Sequence, residues 1–140
     1  RQNIPYTGSG PAASRLAFSK SLAKHRFALF EIPTPPYRLI HFTDDEVRLH
    51  EAANRIGYPL VVKPDRQGSS LGVSIVETPE DLLSAARECF RFDSVGLVET
   101  AIVGEEWTVG FIDDAPLPPI RIEPPRAFYD FAAKYDDDGT

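Results

Sequence analysis

The densest group of residues able to do chemistry lies between positions 60 and 76. Lys63 closes a short apolar run, Leu60-Val61-Val62, and Pro64-Asp65-Arg66-Gln67-Gly68-Ser69-Ser70-Leu71-Gly72 follow it. A loop with this composition can turn several backbone N–H groups toward one anion, while serine hydroxyls donate and the lysine supplies full charge. Glycine admits close approach because no Cβ stands in the way. The chemistry implied is a polyphosphate cradle. An ordinary hairpin with a solvated lysine and a flexible Gly-Ser loop would have the same local composition. A Walker A loop is excluded, since no Lys-Ser or Lys-Thr pair follows the glycines.

Two acids could complete a ligand site. Glu99 ends the apolar run Leu97-Val98, and Glu106 follows a turn at Gly104. Either alone reads as an exposed acid at a strand end; spaced across one turn they gain weight as a pair of acceptors. Other constellations are weaker. His50-Glu51-Ala52-Ala53-Asn54 lacks the second histidine of a zinc-protease helix, and His25 and His41 are isolated, so no metal site is expected from these residues. Asp136-Asp137-Asp138 reads as a solvated acidic loop, and Pro35-Pro36 as a rigid edge.

The elements needed to position these groups are legible. Ala12 to Phe30 carries a broad apolar stripe interrupted by Lys20, Lys24 and Arg26, and predicts one amphipathic helix, on which a solvated face is the plainest reading of the two lysines taken alone. The prolines of Ile32-Pro33-Thr34-Pro35-Pro36 force an extended path into a strand from Tyr37 to Phe42. Thr43-Asp44-Asp45-Glu46 predicts a capping box with Thr43 as N-cap, opening a helix that Gly57 stops. Strands are expected at 60–62 and 72–77, and a helix opens at Pro79 with acids in its first turn. Leu82, Leu83, Ala86 and Phe90 should face one way, with Cys89 in the core. Three further strands follow, at 96–102, 106–112 and 117–122, and only loop chemistry after Glu123. The fold class is therefore α+β, or mixed α/β, with helices on a mainly antiparallel sheet.

Composition bounds the function. The chain has 140 residues, 42% hydrophobic and 26% charged, enough for one core and ordinary for a globular protein. A net charge of −6 argues against a nucleic-acid partner. No apolar run nears the ~20 residues of a membrane helix, and no signal-peptide pattern opens the chain. Cys89 is the single cysteine, which excludes an internal disulfide and fits a reducing, cytoplasmic setting. The start at Arg1 suggests that something preceded it.

Lys63-Pro64-x-Arg66-x-Gly68-Ser69-Ser70-x-Gly72-Val73 resembles the phosphate loop of the D-alanine–D-alanine ligases, members of the ATP-grasp superfamily. Pro5-Tyr6-Thr7-Gly8-Ser9-Gly10, Pro33-Thr34-Pro35-Pro36-Tyr37, Gly104-x-Glu106-x-Thr108-Val109 and Phe128-Tyr129-Asp130-x-x-Ala133-Lys134-Tyr135 match in the same order. The resemblance implies part of an ATP-grasp fold, divided into a connector at 1–14, a central subdomain at 15–103 and the start of a C-terminal subdomain at 104–140. It implies ATP-dependent joining of two D-alanines through an acyl phosphate, for peptidoglycan precursor synthesis. By the same resemblance, Lys63 and Lys20 meet ATP phosphates and Ser70 donates to phosphate. Glu99 accepts from the adenine amino group, Ile102 lines the adenine contact strand and Glu106 accepts from the ribose hydroxyls. Lys134 meets the γ-phosphate, and Ser69 and Tyr135 belong to a substrate network. The Mg2+ ligands are expected outside this chain, D-alanine is the small-molecule partner, and a homodimer is admitted. The chain departs from the family pattern at Ser19, where aspartate is usual, and at Gln67, where many members carry glutamate. A D-alanine–D-lactate type ligase is the nearer alternative, opposed by Lys134-Tyr135; a nucleotide-binding module without catalysis is the more distant one.

Overall fold

Alternation along Leu60-Val61-Val62-Lys63-Pro64 decides the architecture. In the computed structural model, which describes residues 4–123, every second residue of this strand is buried and the intervening Val61 and Lys63 are half-buried. Successive side chains of a strand point to opposite faces, so this one segment supplies both a core face and a second, more open face.

Eight strands and four α-helices make up the described part: α1 (Pro11–Phe18), α2 (Lys20–Leu29), β1 (Tyr37–His41), α3 (Glu46–Ile56), β2 (Leu60–Pro64), β3 (Ser74–Val76), α4 (Leu82–Phe90), β4 (Val95–Thr100), β5 (Glu106–Thr108), β6 (Phe111–Ile112), β7 (Ala115–Pro116) and β8 (Ile120–Ile122). The first four strands form an antiparallel sheet in the order β1-β4-β2-β3, and β5 pairs with β8 and β6 with β7 in two small ribbons. Helices on an antiparallel sheet are the arrangement that the sequence predicts.

Helices α3 and α4 cover one face of the large sheet. Leu49 and Ala53 of α3 and Leu82, Ala86 and Cys89 of α4 pack with Ile40, Leu60, Val62, Val76 and Val98 from the strands. Full burial of a side chain of this size contributes about 1.5–3 kcal/mol, so this layer holds the fold. Gly96 lets α4 come close, since a Cβ there would lie 2.6 Å from Cys89 Sγ.

Several boundaries differ from the sequence reading. The single helix expected from 12 to 30 is two, because Ser19 adopts an extended conformation between them and its Oγ caps α2 by accepting from Leu22 N. The N-cap of α3 is Asp45, not Thr43, and its carboxylate accepts from Arg48 N at 2.9 Å. Asp44 is used instead to close the turn after β1, accepting from His41 N at 2.7 Å. The helix after Pro79 begins as one tight 3-10 turn before α4. The strand expected at 72–77 shortens to β3, because Gly72 turns with φ of +67° and fits under Phe92 and Pro64 where a Cβ would clash. The strands expected at 106–112 and 117–122 break up, the second because Pro118 and Pro119 carry no N–H for pairing. Gly57 ends α3 with a positive φ, as expected.

Candidate functional site

The open face of the large sheet gathers the polar side chains. Register sets Tyr37 opposite Glu99, Glu99 opposite Val61, and Val61 opposite Ile75, all in one row. The next row runs Leu39, Leu97, Lys63. Lys63 and Glu99 are therefore diagonal neighbours, and their charged ends meet in an ion pair. Glu99 is buried. A buried carboxylate needs compensating charge and hydrogen bonds, and a second lysine supplies more. Lys24 Nζ stands 2.9 Å from Glu99 Oε2. It also donates to Thr34 Oγ1 at 2.7 Å and to the Pro35 carbonyl at 2.9 Å, and it lies over the Tyr37 ring, 5.0 Å from its centroid.

Lys20 approaches from the start of α2. Its ammonium donates to the carbonyls of Pro64 at 2.8 Å and Gln67 at 2.7 Å, with Asp65 O more distant at 3.5 Å. It thus ties α2 to the first half of the loop. Burial and the nearby Lys63 charge pull its pKa below the usual lysine value, against the opposing influence of Asp65 and Glu99. Asp65 makes the reciprocal tie: its carboxylate accepts from Ser19 Oγ and from Ser21 N, both at 2.7 Å. Burial alone would raise the Asp65 carboxyl, but the donors of Ser21 and Ser19, helped by Arg66, outweigh it and hold the group below the usual carboxylate range. Beyond this anchored part the loop turns sharply, with Ser69 and Ser70 at φ of 52° and 59°. Successive non-glycine residues in the left-handed region are uncommon and occur mostly where surrounding structure imposes them.

A cavity of about 420 Å³ opens between the loop and the sheet. Lys20, Lys63, Ser69, Ser70, Glu99 and Ile102 all line it. Glu106 lies in the adjoining cavity of about 500 Å³, which shares Val61 and Ile102 with the first. Six of the expected site residues thus meet in one place and the seventh is next door. Lys134 and Tyr135 lie outside the described residues. Among the described residues no group of three or more His, Cys, Asp or Glu side chains could hold a metal ion.

A family model described as "D-ala D-ala ligase C-terminus" matches residues 27–140. The chain belongs to the D-alanine–D-alanine ligase family. The D-alanine–D-alanine ligase of Geobacter sulfurreducens is 47% identical over 132 residues, covering 94% of this chain and 41% of that protein. That of Chromohalobacter salexigens is 44% identical over 137 residues, covering 98% and 43%. Among solved structures, the D-alanine–D-alanine ligase of Bacillus anthracis superposes with a TM-score of 0.78 at 37% identity, covering 96% of this chain and 43% of that one. The same Bacillus anthracis enzyme complexed with ATP gives a TM-score of 0.74 at 33% identity, covering 85% and 39%. The fold is accordingly part of an ATP-grasp ligase, and the chain spans less than half the length of these relatives.

For this member of the ligase family, the sequence reading misassigned or missed several residues at the site. It put Lys24 on a solvated helix face, whereas the break at Ser19 turns α2 so that Lys24 is buried against the sheet. Lys20 is half-buried, its ammonium turned to loop carbonyls. Asp65 went unremarked, although an aspartate directly after a strand-ending Lys-Pro was a visible signal for a loop anchor. Trp107 is exposed and donates to Glu105 at 3.2 Å.

Proposed function

We propose that this chain forms the nucleotide-binding part of an ATP-dependent D-alanine–D-alanine ligase. The supporting observation is the convergence of Lys20, Lys63, the Ser69-Ser70 turn and Glu99 on one cavity that Ile102, just past the end of β4, also lines. The residues fit ATP. Two ammonium groups at the loop suit phosphates, a buried carboxylate suits an amino group of the base, and Glu106 in the adjoining cavity suits a hydroxyl pair.

In this reading Lys63 and Ser70 bind phosphate, Lys20 braces the loop and adds positive charge, and Glu99 with Ile102 holds adenine. Ser69, Lys134 and Tyr135 serve the reacting groups. Bound ATP supplies the phosphoryl group that activates one D-alanine carboxylate for attack by the amine of the second. The contribution of these residues is to orient the nucleotide and offset charge at the phosphates. Mg2+ would have to be held by residues outside those described, so none of its ligands is assigned. Residues 1–14, 15–103 and 104–140 would be the connector, the central subdomain and the start of the C-terminal one. A cytoplasmic role in peptidoglycan precursor synthesis, and a homodimer, belong to the same proposal.

The natural protein, given ATP, Mg2+ and D-alanine, should release phosphate and form D-alanyl-D-alanine. These 140 residues alone should show no sustained turnover. Exchange of Tyr135 for Phe should shift the ratio of dipeptide to depsipeptide when D-lactate competes; an unchanged ratio would remove Tyr135 from the substrate network. Failure of the natural protein to bind ATP would overturn the proposal, and binding without phosphate release would favour a module without catalysis.

A further inference from the structure

One carboxylate on the open face serves two lysines, and the two are not equivalent. Lysine has three N–H donors. Lys24 donates to two acceptors, Thr34 Oγ1 and Pro35 O, and is ion-paired with Glu99 Oε2, and its side chain is 7% exposed. Lys63 has Glu99 Oε1 as its acceptor among the described residues, and its side chain is 19% exposed and lines the cavity. Lys24, on α2, is held by the segment before β1 and by β4; Lys63, on β2, is held by β4 alone among the described residues.

We propose that Lys24 is a fixed counter-ion whose role is to release Lys63. When an anion enters the cavity, Lys63 can turn from Glu99 toward it. That exchange would leave a buried carboxylate uncompensated, at substantial free-energy cost, unless a second cation stays behind. Lys24 is that cation. It is a positioning residue, since it is not among the residues that line the cavity of about 420 Å³ that Lys63 faces. The inference rests on the reading of Lys63 as a phosphate ligand and adds a residue to which that reading gives no role.

Without Lys24, Glu99 would depend on Lys63 alone and compete with the nucleotide for it. The loss should therefore follow the phosphates and not the base. In the natural protein, Lys24→Met should weaken ATP binding about tenfold, the scale of one charge-assisted contact. Binding of adenosine, which carries no phosphate, should change less than about twofold. A merely structural lysine gives the opposite pattern, equal losses for ATP and adenosine, and that result would overturn the proposal. Lys24→Gln keeps a donor for Thr34 or Pro35 and removes the charge; it provides the same test if Lys24→Met fails to fold. Titration of the unaltered protein separates the two levels. If it binds no ATP, the nucleotide reading falls and this inference with it. If it binds ATP and Lys24→Met binds it equally well, only the role of Lys24 falls.

Discussion

The two faces of the four-stranded sheet are built from the same strands and do different work. On one, Leu60, Val62, Val76 and Val98 meet α3 and α4 in a layer without charged side chains. On the other, displaced by one residue, Val61, Lys63 and Glu99 face the cavity. The period of two along a strand lets one short segment anchor the core and present the groups that line the cavity. Rigidity of the first face limits how far Lys63 and Glu99 can drift relative to one another. Stability and binding should therefore separate cleanly by residue parity.

The largest effect should come from the core face. Leu60→Ala removes a fully buried side chain and should cost about 2–5 kcal/mol of stability. Denaturant unfolding measures this, and ATP affinity of the variant that remains folded should be nearly unchanged. A loss of affinity as large as the loss of stability would break the separation.

Lys63→Ala tests the other parity. It should weaken ATP binding by about 1.5–3 kcal/mol, while unfolding shifts little, because Lys24 still compensates Glu99. Calorimetric titration and a melting curve on the same preparation decide it; unchanged affinity would remove Lys63 from the site.

A smaller effect is expected at the loop anchor, where Asp65 joins the site to α2. The folded state holds this carboxyl below its ordinary value, so its stabilisation is complete above the ordinary carboxylate range and is lost as pH falls through the lowered value. Asp65→Asn should therefore cost about 1.5 kcal/mol near neutral pH, the scale of one hydrogen bond to a charged group. The difference from the parent should shrink with acidification. A difference independent of pH would show that the charge of Asp65 contributes nothing.

The smallest effect is an absence of reaction. Burial, followed by the nearby Asp93, pushes the Cys89 thiol up to about 12. Alkylating reagents at mildly alkaline pH should leave it unmodified in the folded protein and modify it in denaturant. Rapid labelling of the native state would mean that α4 lifts readily from the sheet.

The sequence by itself determined most of the elements, the antiparallel sheet and the grouping of Lys63 with Ser69 and Ser70 at one loop. Those properties are carried by local signals: strand alternation, proline placement, and a Lys-to-Gly-Ser-Ser spacing that is contiguous in the chain. It also located Cys89 in the core, because its apolar helical neighbours recur at the right period. Helix caps and strand ends were less legible: the capping-box spacing pointed to Thr43, whereas Asp44 closes the turn after β1 and Asp45 caps α3.

Only the tertiary structure decided which lysine does what. Lys20 and Lys24 lie on one short helix with similar neighbours, and no local pattern separates them. The break at Ser19 and the polar ties of α2 to the loop set Lys20 against loop carbonyls and Lys24 against Glu99, 75 positions further along the chain. The pairing of Glu99 with Lys63, 36 positions away, likewise follows from strand register and not from sequence spacing. Charges that meet across strands and helices are compensated by partners chosen in three dimensions, so a one-dimensional pattern shows the charges without showing which partner each will find.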